Sequence, residues 1–316
     1  MQKQLVYHLV AFLVIAIWGS TFVVTKLLLL ASLSPAQIFT LRFIIAYAAL
    51  LGIAAVMNVA TGKTFRWFSK DWKDELLMVG LGLTGGSLYF LTENAAMNYT
   101  TTTNTALIVC LCPLFAALLI SMFYKEERLQ GIQIVGSLLA AAGVAVVELN
   151  GRFVLHLSPK GDALAFAACL CWAGYSLLMI PACKRYDTLF ITRKLFFYGL
   201  LTMIPYYIIY PEWPPLHTLL QPGILLRLLF LGVIASTLCY YLWGWVIRKL
   251  GAVTATNYVY FNPVIAILCA WIVLSERITL WFLLGTALII AGMYFADKRT
   301  SKVKHNMCDN PSNNKQ

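Results

Sequence analysis

The chain has 316 residues, 60% of them hydrophobic and 12% charged, and a formal net charge of +11. Soluble domains run near half apolar and about a quarter charged, so this composition excludes an ordinary soluble fold and points to lipid as the solvent. The cationic excess does not describe a nucleic-acid surface, because Lys and Arg punctuate apolar runs instead of collecting on one face.

A helix needs roughly 20 mostly apolar residues to cross a bilayer. Ten such windows follow one another, over residues 7–30, 35–57, 76–97, 102–123, 130–148, 161–181, 190–210, 223–247, 252–274 and 279–296. The first, from about Tyr7 to Leu30, is too long for the core of a signal peptide and lacks a small-residue cleavage site, so it reads as a retained first span. Turn and charge signals separate the windows: Ser34-Pro35, Thr61-Gly62-Lys63, Lys125 to Arg128, Asn150-Gly151, Pro211 to Pro215, and Ser275-Glu276-Arg277. The links are short, so sequential helices run antiparallel. The fold class expected is an all-α membrane protein of ten transmembrane helices.

Basic residues accumulate in cytoplasmic loops. With the N-terminus inside, the inner segments hold Lys3, Lys63, Arg66, Lys70, Lys73, Lys125, Arg128, Lys184, Arg185, Arg248, Lys249, Lys298, Arg299, Lys302, Lys304 and Lys315. The outer ones hold Arg152, Lys160, Arg227 and Arg277. Sixteen against four sets both termini in the cytoplasm. The stretch 297–316 reads as a disordered cytoplasmic tail near anionic lipid.

The sequence repeats itself. Glu127-Arg128-Leu129, Gly136 and Gly143 return as Glu276-Arg277-Ile278, Gly285 and Gly292, and Pro113 returns as Pro263. Trp18-Gly19-Ser20 is echoed by Trp172-Ala173-Gly174, and Arg42 and Tyr47 by Arg193 and Tyr198. The two copies occupy 7–148 and 161–296. Each holds five helices, an odd number, so the second enters the membrane inverted relative to the first. Inverted repeats recur in secondary transporters, where substrate binds near the midplane between the halves.

Only one acid, Glu93, lies well inside a window. Intramembrane carboxylates are costly and read as functional by default. Three roles stay open for it: an ion pair with Arg42 or Lys26, contact with substrate or a gate, and proton coupling. Arg42 can grip an anionic group through its fork of donors, whereas Arg193, beside Lys194 at a window's cytoplasmic start, reads as snorkelling. Trp18, Tyr89, Trp172, Tyr175, Tyr240, Trp243, Tyr258 and Tyr260 are candidates to line a cavity, against the alternative of helix packing or an interfacial belt. Asn94, Asn104, Asn257 and Asn262 need partners in lipid, either as interhelical glue or as substrate contacts. Pro113 and Pro263 break the helix ladder in matched places and are hinge candidates. Gly82 with Gly86, and Gly136 with Ala140, space small residues for close helix packing.

The eight Cys form no CxxC and read as small buried hydrophobes. The four His are scattered, and no HExxH, GxSxG or GxxxxGK[ST] occurs. No cofactor, metal site or catalytic residue is therefore expected, and no enzyme.

Trp18 through Lys26, Leu41-Arg42-Phe43, Tyr89 through Asn94, Tyr99 through Pro113, and the Glu-Arg and Gly pattern at 126–143 with its second copy at 276–292 resemble the drug/metabolite transporter superfamily, in its EamA-like branch. The resemblance spans about residues 7–296. It implies two inverted EamA repeats around a central cavity, and movement of small metabolites, often outward. The expected protein is a secondary transporter of an amino-acid-like or other polar or amphipathic solute, an exporter working by alternating access in a bacterial inner membrane. Its expected partners are that solute and the bilayer, without nucleic acid; monomer and homodimer stay open. A membrane-embedded enzyme and a receptor or assembly subunit without flux are the alternatives. Glu93 has no acidic counterpart near Trp243 or Gly244, so the two halves are not chemically equivalent.

Overall fold

The structure is a computed structural model that describes residues 2–61, 66–100, 102–124, 130–149, 158–265, 268 and 279–297. Among the described residues the regular elements are helices, with no strand. We number them α1 (Gln2–Leu30), α2 (Pro35–Thr61), α3 (Trp72–Tyr99), α4 (Thr102–Val109), α5 (Cys112–Phe123), α6 (Gly131–Leu149), α7 (Pro159–Arg185), α8 (Thr188–Leu201), α9 (Ile204–Ile209), α10 (Leu216–Leu219), α11 (Pro222–Leu250), α12 (Ala252–Asn257) and α13 (Leu280–Asp297). Helix starts follow capping chemistry. Ser158 precedes Pro159 and accepts from the Gly161 N–H, and Asp187 accepts from the Phe190 N–H at 2.9 Å.

Among the described residues six helices, α1, α2, α3, α7, α11 and α13, are long and apolar enough to cross a membrane. Two shorter apolar stretches, Leu107–Phe123 and Gly131–Val147, accompany them. The window 102–123 is interrupted at Cys110–Leu111, just before Pro113. Proline has no N–H to continue the ladder and settles in a first turn. The window 190–210 is likewise divided at Thr202–Met203, before Pro205. The window 252–274 breaks after α12 into a tight 3-10 turn, Tyr258–Phe261, and resumes one residue before Pro263. Its end, the Glu-Arg pairs at 127–128 and 276–277, the loop residues Lys63, Lys125 and Arg152, and the tail 298–316 lie outside the described residues.

The outer surface is apolar, as lipid requires. Leu5, Leu9, Val56, Met122, Ile208 and Leu280 all stand exposed. The buried core is dominated by aromatic side chains, among them Phe39, Phe43, Tyr175, Phe196, Tyr240 and Trp243.

Glycines set the closest helix contacts. A Cβ on Gly136 would lie 2.7 Å from the Gly292 carbonyl oxygen, and one on Gly292 would lie 2.7 Å from that of Gly136. Gly143 and Gly285 meet in the same way, at 2.8 and 2.7 Å. Advancing along α6 from Gly136 to Gly143 moves the contact back along α13 from Gly292 to Gly285, so these helices are antiparallel. Elsewhere Gly82 of α3 abuts Tyr198 of α8, and Gly232 of α11 abuts Ile45 of α2. The small-residue spacings of the sequence thus become backbone contacts, as close packing between membrane helices demands.

Candidate functional site

A small cavity of about 40 Å³ lies between α1, α2, α3, α4, α5, α7, α11 and the segment 259–262. That is room for about one water, so the cavity is nearly closed in this structure. Trp18, Arg42, Tyr89, Glu93, Trp172 and Tyr240 line it together, so six residues far apart in sequence converge on one space.

Its polar residues are arranged in a definite way. The Tyr89 hydroxyl donates to Glu93 Oε1 at 2.6 Å, one turn along α3. Arg42 Nε donates to Ser236 Oγ, and the guanidinium lies 4.4 Å over the Phe90 ring. Glu93 and Arg42 are 7% and 4% exposed and both border the cavity, yet no ion pair joins them. Lys26 instead donates to the Met97 carbonyl, so the expected pairing of Glu93 with Arg42 or Lys26 is not what forms. The two charges stand apart across a small space, each braced by a neutral hydroxyl.

Aromatic rings make much of the remaining wall. Trp18 and Trp172, the repeat-related tryptophans, meet edge to face at 5.4 Å and 89°. Trp18 also meets Tyr240 at 5.5 Å, and Tyr89 meets Trp172 at 5.1 Å. Edge-to-face contacts, as Trp18 makes with Trp172 and Tyr240, hold rings at fixed angles.

Other expected residues lie elsewhere. Tyr175 and Trp243 form a layer behind the cavity wall, Tyr175 against Trp172 at 4.9 Å and Trp243 against Trp18 at 5.1 Å. Asn94 reaches the Pro35 carbonyl, and Asn104 donates to Asp162 of α7, an interhelical tie. Asn257 and Tyr258 border a separate pocket with Thr254 and Asp297. Tyr260 packs in a second core with Cys110, Val144 and Ile289. Arg193 is buried and donates to the Arg66 carbonyl, so it does not snorkel. Sequence reasoning did not single out Thr21, Phe22, Phe90, Val109, Cys112 or Val259 as wall residues. All but Val259 fall within the stretches that carry the family resemblance, which was the positional hint available.

The end of the bundle away from Glu93 is polar. Asp74 pairs with Arg185 and accepts from the Tyr186 hydroxyl at 2.7 Å, while Glu75 pairs with Lys194 and accepts from the Tyr198 hydroxyl. The Ser69 N–H adds a bond to Glu75 at 2.8 Å, and Arg248 donates to the Tyr186 carbonyl. These contacts tie α3 to α7 and α8.

Residues 5–149 and 159–296 each match the EamA-like transporter family. The chain belongs to that family. It is a multi-pass membrane transporter of small molecules, not an enzyme. It is 27% identical over 293 residues to a "probable amino-acid metabolite efflux pump" of Escherichia coli, covering 90% of this chain and 92% of that protein. A "probable terminal-alkyne amino-acid exporter" of Streptantibioticus cattleyicolor is 26% identical over 227 residues, covering 72% and 74%. An uncharacterized transporter of Archaeoglobus fulgidus is 26% identical, covering 91% and 96%. One solved chain superposes with a TM-score of 0.68 at 20% identity, over 92% of this chain and 95% of the other, and so shares the fold.

Proposed function

We propose that this EamA transporter exports amino-acid-like metabolites from the cytoplasm by alternating access around the Trp18–Arg42–Glu93 cavity. The observation that carries the reading is the separation of Arg42 and Glu93. A buried charge with no opposite partner is expensive. Here one guanidinium and one carboxylate border a shared small cavity, within each other's field but without direct contact. A zwitterion supplies what both lack. Its carboxylate suits the planar fork of Arg42, and its ammonium suits Glu93 and the faces of Trp18, Tyr89 and Trp172. Two relatives named for amino-acid export support the same solute class and the same direction.

The machinery of transport is read in the same way. The loop charges favour cytoplasmic termini in an inner membrane. Ten helices in two inverted fives are supported by the sequence repeat and by the reciprocal glycine contacts of α6 with α13. In that orientation the cavity lies in the outer half, and the Asp74–Arg185 and Glu75–Lys194 pairs close the cytoplasmic end. Rocking of the halves would break those pairs and open the cavity inward. The matched breaks before Pro113 and Pro263 are candidate points of bending.

The test is counterflow in proteoliposomes with the twenty proteinogenic L-amino acids. Saturable uptake of a labelled amino acid, driven by the same unlabelled amino acid inside, is expected. Absence of flux for all of them, with folded protein in the bilayer, would favour a receptor or assembly subunit and end the amino-acid reading.

A further inference from the structure

Two helices that face the cavity, α3 and α11, are not α-helical throughout. Each contains a wide π turn, Leu83–Ser87 in α3 and Phe230–Leu238 in α11. In the first the Leu88 N–H reaches back five residues to the Leu83 carbonyl, and in the second Cys239 reaches Ile234. Gly86 departs from helical geometry altogether, at φ −129° and ψ −108°. A π turn offsets the ladder, leaves a carbonyl short of its helical donor, and marks where a helix bends. Such turns occur often at functional sites.

One carbonyl of each turn accepts from a ring that lines the cavity. The Tyr240 hydroxyl donates to the Gly85 carbonyl at 2.7 Å, and Trp18 Nε1 donates to the Ala235 carbonyl at 2.9 Å. Gly85 and Ala235 are separated by the same 150 positions as Pro113 and Pro263. Each donor comes from the opposite half: Trp18 from the first matched segment onto a turn of the second, Tyr240 from the second onto a turn of the first. The two donor rings touch, 5.5 Å apart, and both line the cavity. Ser236, next to Ala235, also holds Arg42.

We propose that Trp18 and Tyr240 are positioning residues for the transport step: each latches the other half's π turn, so that filling the cavity is felt at both bends at once. This rests on the carrier reading above. Their polar atoms are spent on backbone carbonyls and are not donors to substrate. What substrate meets is their ring faces, and displacing either ring loosens a bend.

The experiment compares Trp18→Phe and Tyr240→Phe with wild type in the reconstituted full chain. Both keep an aromatic ring and lose only the donor. The probe is the L-amino acid that gives the largest wild-type counterflow. The expected result is a half-saturation concentration within about twofold of wild type and a maximal flux lowered about tenfold, the scale of one lost hydrogen bond in a transition. Amide exchange in detergent should rise across 84–90 in Tyr240→Phe and across 234–240 in Trp18→Phe. A raised half-saturation concentration with unchanged maximal flux would make them substrate donors and overturn the proposal, as would unchanged flux. If wild type moves none of the twenty, the carrier reading fails on its own, and the latch is judged by exchange: unchanged protection at both turns sinks it.

Discussion

Tyr89 and Glu93 stand one turn apart on α3, and the phenol donates to the carboxylate at 2.6 Å at the edge of the cavity. The arrangement fixes one carboxylate oxygen with a neutral donor and leaves the group without an ion-pair partner. Glu93→Gln keeps the shape and the Tyr89 contact and removes the charge. If Glu93 binds the substrate's ammonium, the half-saturation concentration should rise roughly ten- to hundredfold, the cost of a hydrogen bond to a charged group. If it also carries a proton, the pH dependence of flux should flatten in the same variant. Initial rates of counterflow between pH 5.5 and 8.5 distinguish the two. Unchanged affinity together with an unchanged pH profile would remove Glu93 from the transport chemistry.

Arg42 gives a sharper case, because its geometry is specified by a neighbour. Ser236 accepts from Nε and aims the fork, with Phe90 beneath it. Arg42→Lys retains the charge but loses the planar fork and the stacking surface. Its affinity for a carboxylate-bearing solute should drop by about tenfold or more, while an amino-acid amide, lacking the carboxylate, should be affected far less. Ser236→Ala should show the same selectivity in milder form. Competition of each analogue against labelled substrate measures both. Equal losses for acid and amide would mean that Arg42 serves packing alone.

The all-helical class and the long spans could be read from the chain, and the reasons are physical. Long apolar runs are obligatory in lipid, so α1, α2, α3, α7, α11 and α13 stand where the windows predicted. Pro113 and Pro263 announced breaks through their missing N–H, whereas the break before Pro205 falls in a window read as one continuous span. The shape of the cavity was harder to read. Trp18, Arg42, Tyr89, Glu93, Trp172 and Tyr240 were legible as unusual residues in apolar runs, but nothing in their spacing separated them from Tyr175 and Trp243, which lie one layer behind. Which face of an almost wholly apolar helix turns inward depends on its neighbours. The π turns were illegible for a related reason. Their carbonyls at Gly85 and Ala235 are met by donors from the other half of the chain, and no local motif encodes those partners.

The glycine contacts of α6 with α13 predict a position-specific stability effect. A Cβ at Gly136 or Gly292 would sit 2.3 Å from backbone nitrogen of the facing helix, and backbone cannot step aside as a side chain can. Gly136→Ala and Gly292→Ala should each destabilise the protein by about 1–3 kcal/mol, the usual range for overpacking. Gly52→Ala, where nothing lies within 4 Å, should be neutral or slightly stabilising, because alanine favours a helix. Thermal melts in detergent rank the three. A Gly52→Ala loss equal to that of Gly136→Ala would mean that the α6–α13 contact is not what sets the cost.

The two ion pairs at the far end of the bundle should differ in strength despite their similarity. Arg185 is 56% exposed, so its charge stays hydrated and its partner Asp74 keeps the Tyr186 hydroxyl when the arginine is removed. Lys194 is 5% exposed and Glu75 22%, so breaking that pair strands a charge in a poorly hydrated place. Arg185→Ala should therefore cost about 1 kcal/mol or less, in the range of solvent-exposed pairs. Glu75→Gln should cost about 3 kcal/mol, toward the range for orphaning a buried charge. If these pairs also close the cytoplasmic end during transport, Glu75→Gln should make a cysteine introduced near the cavity floor, such as Tyr175→Cys, more reactive to a membrane-impermeant thiol reagent from the cytoplasmic side. That experiment needs a background with the native cysteines replaced. Stability loss without added labelling would assign Glu75 and Lys194 to holding α3 on α8, and would place the cytoplasmic closure in the aromatic layer above them.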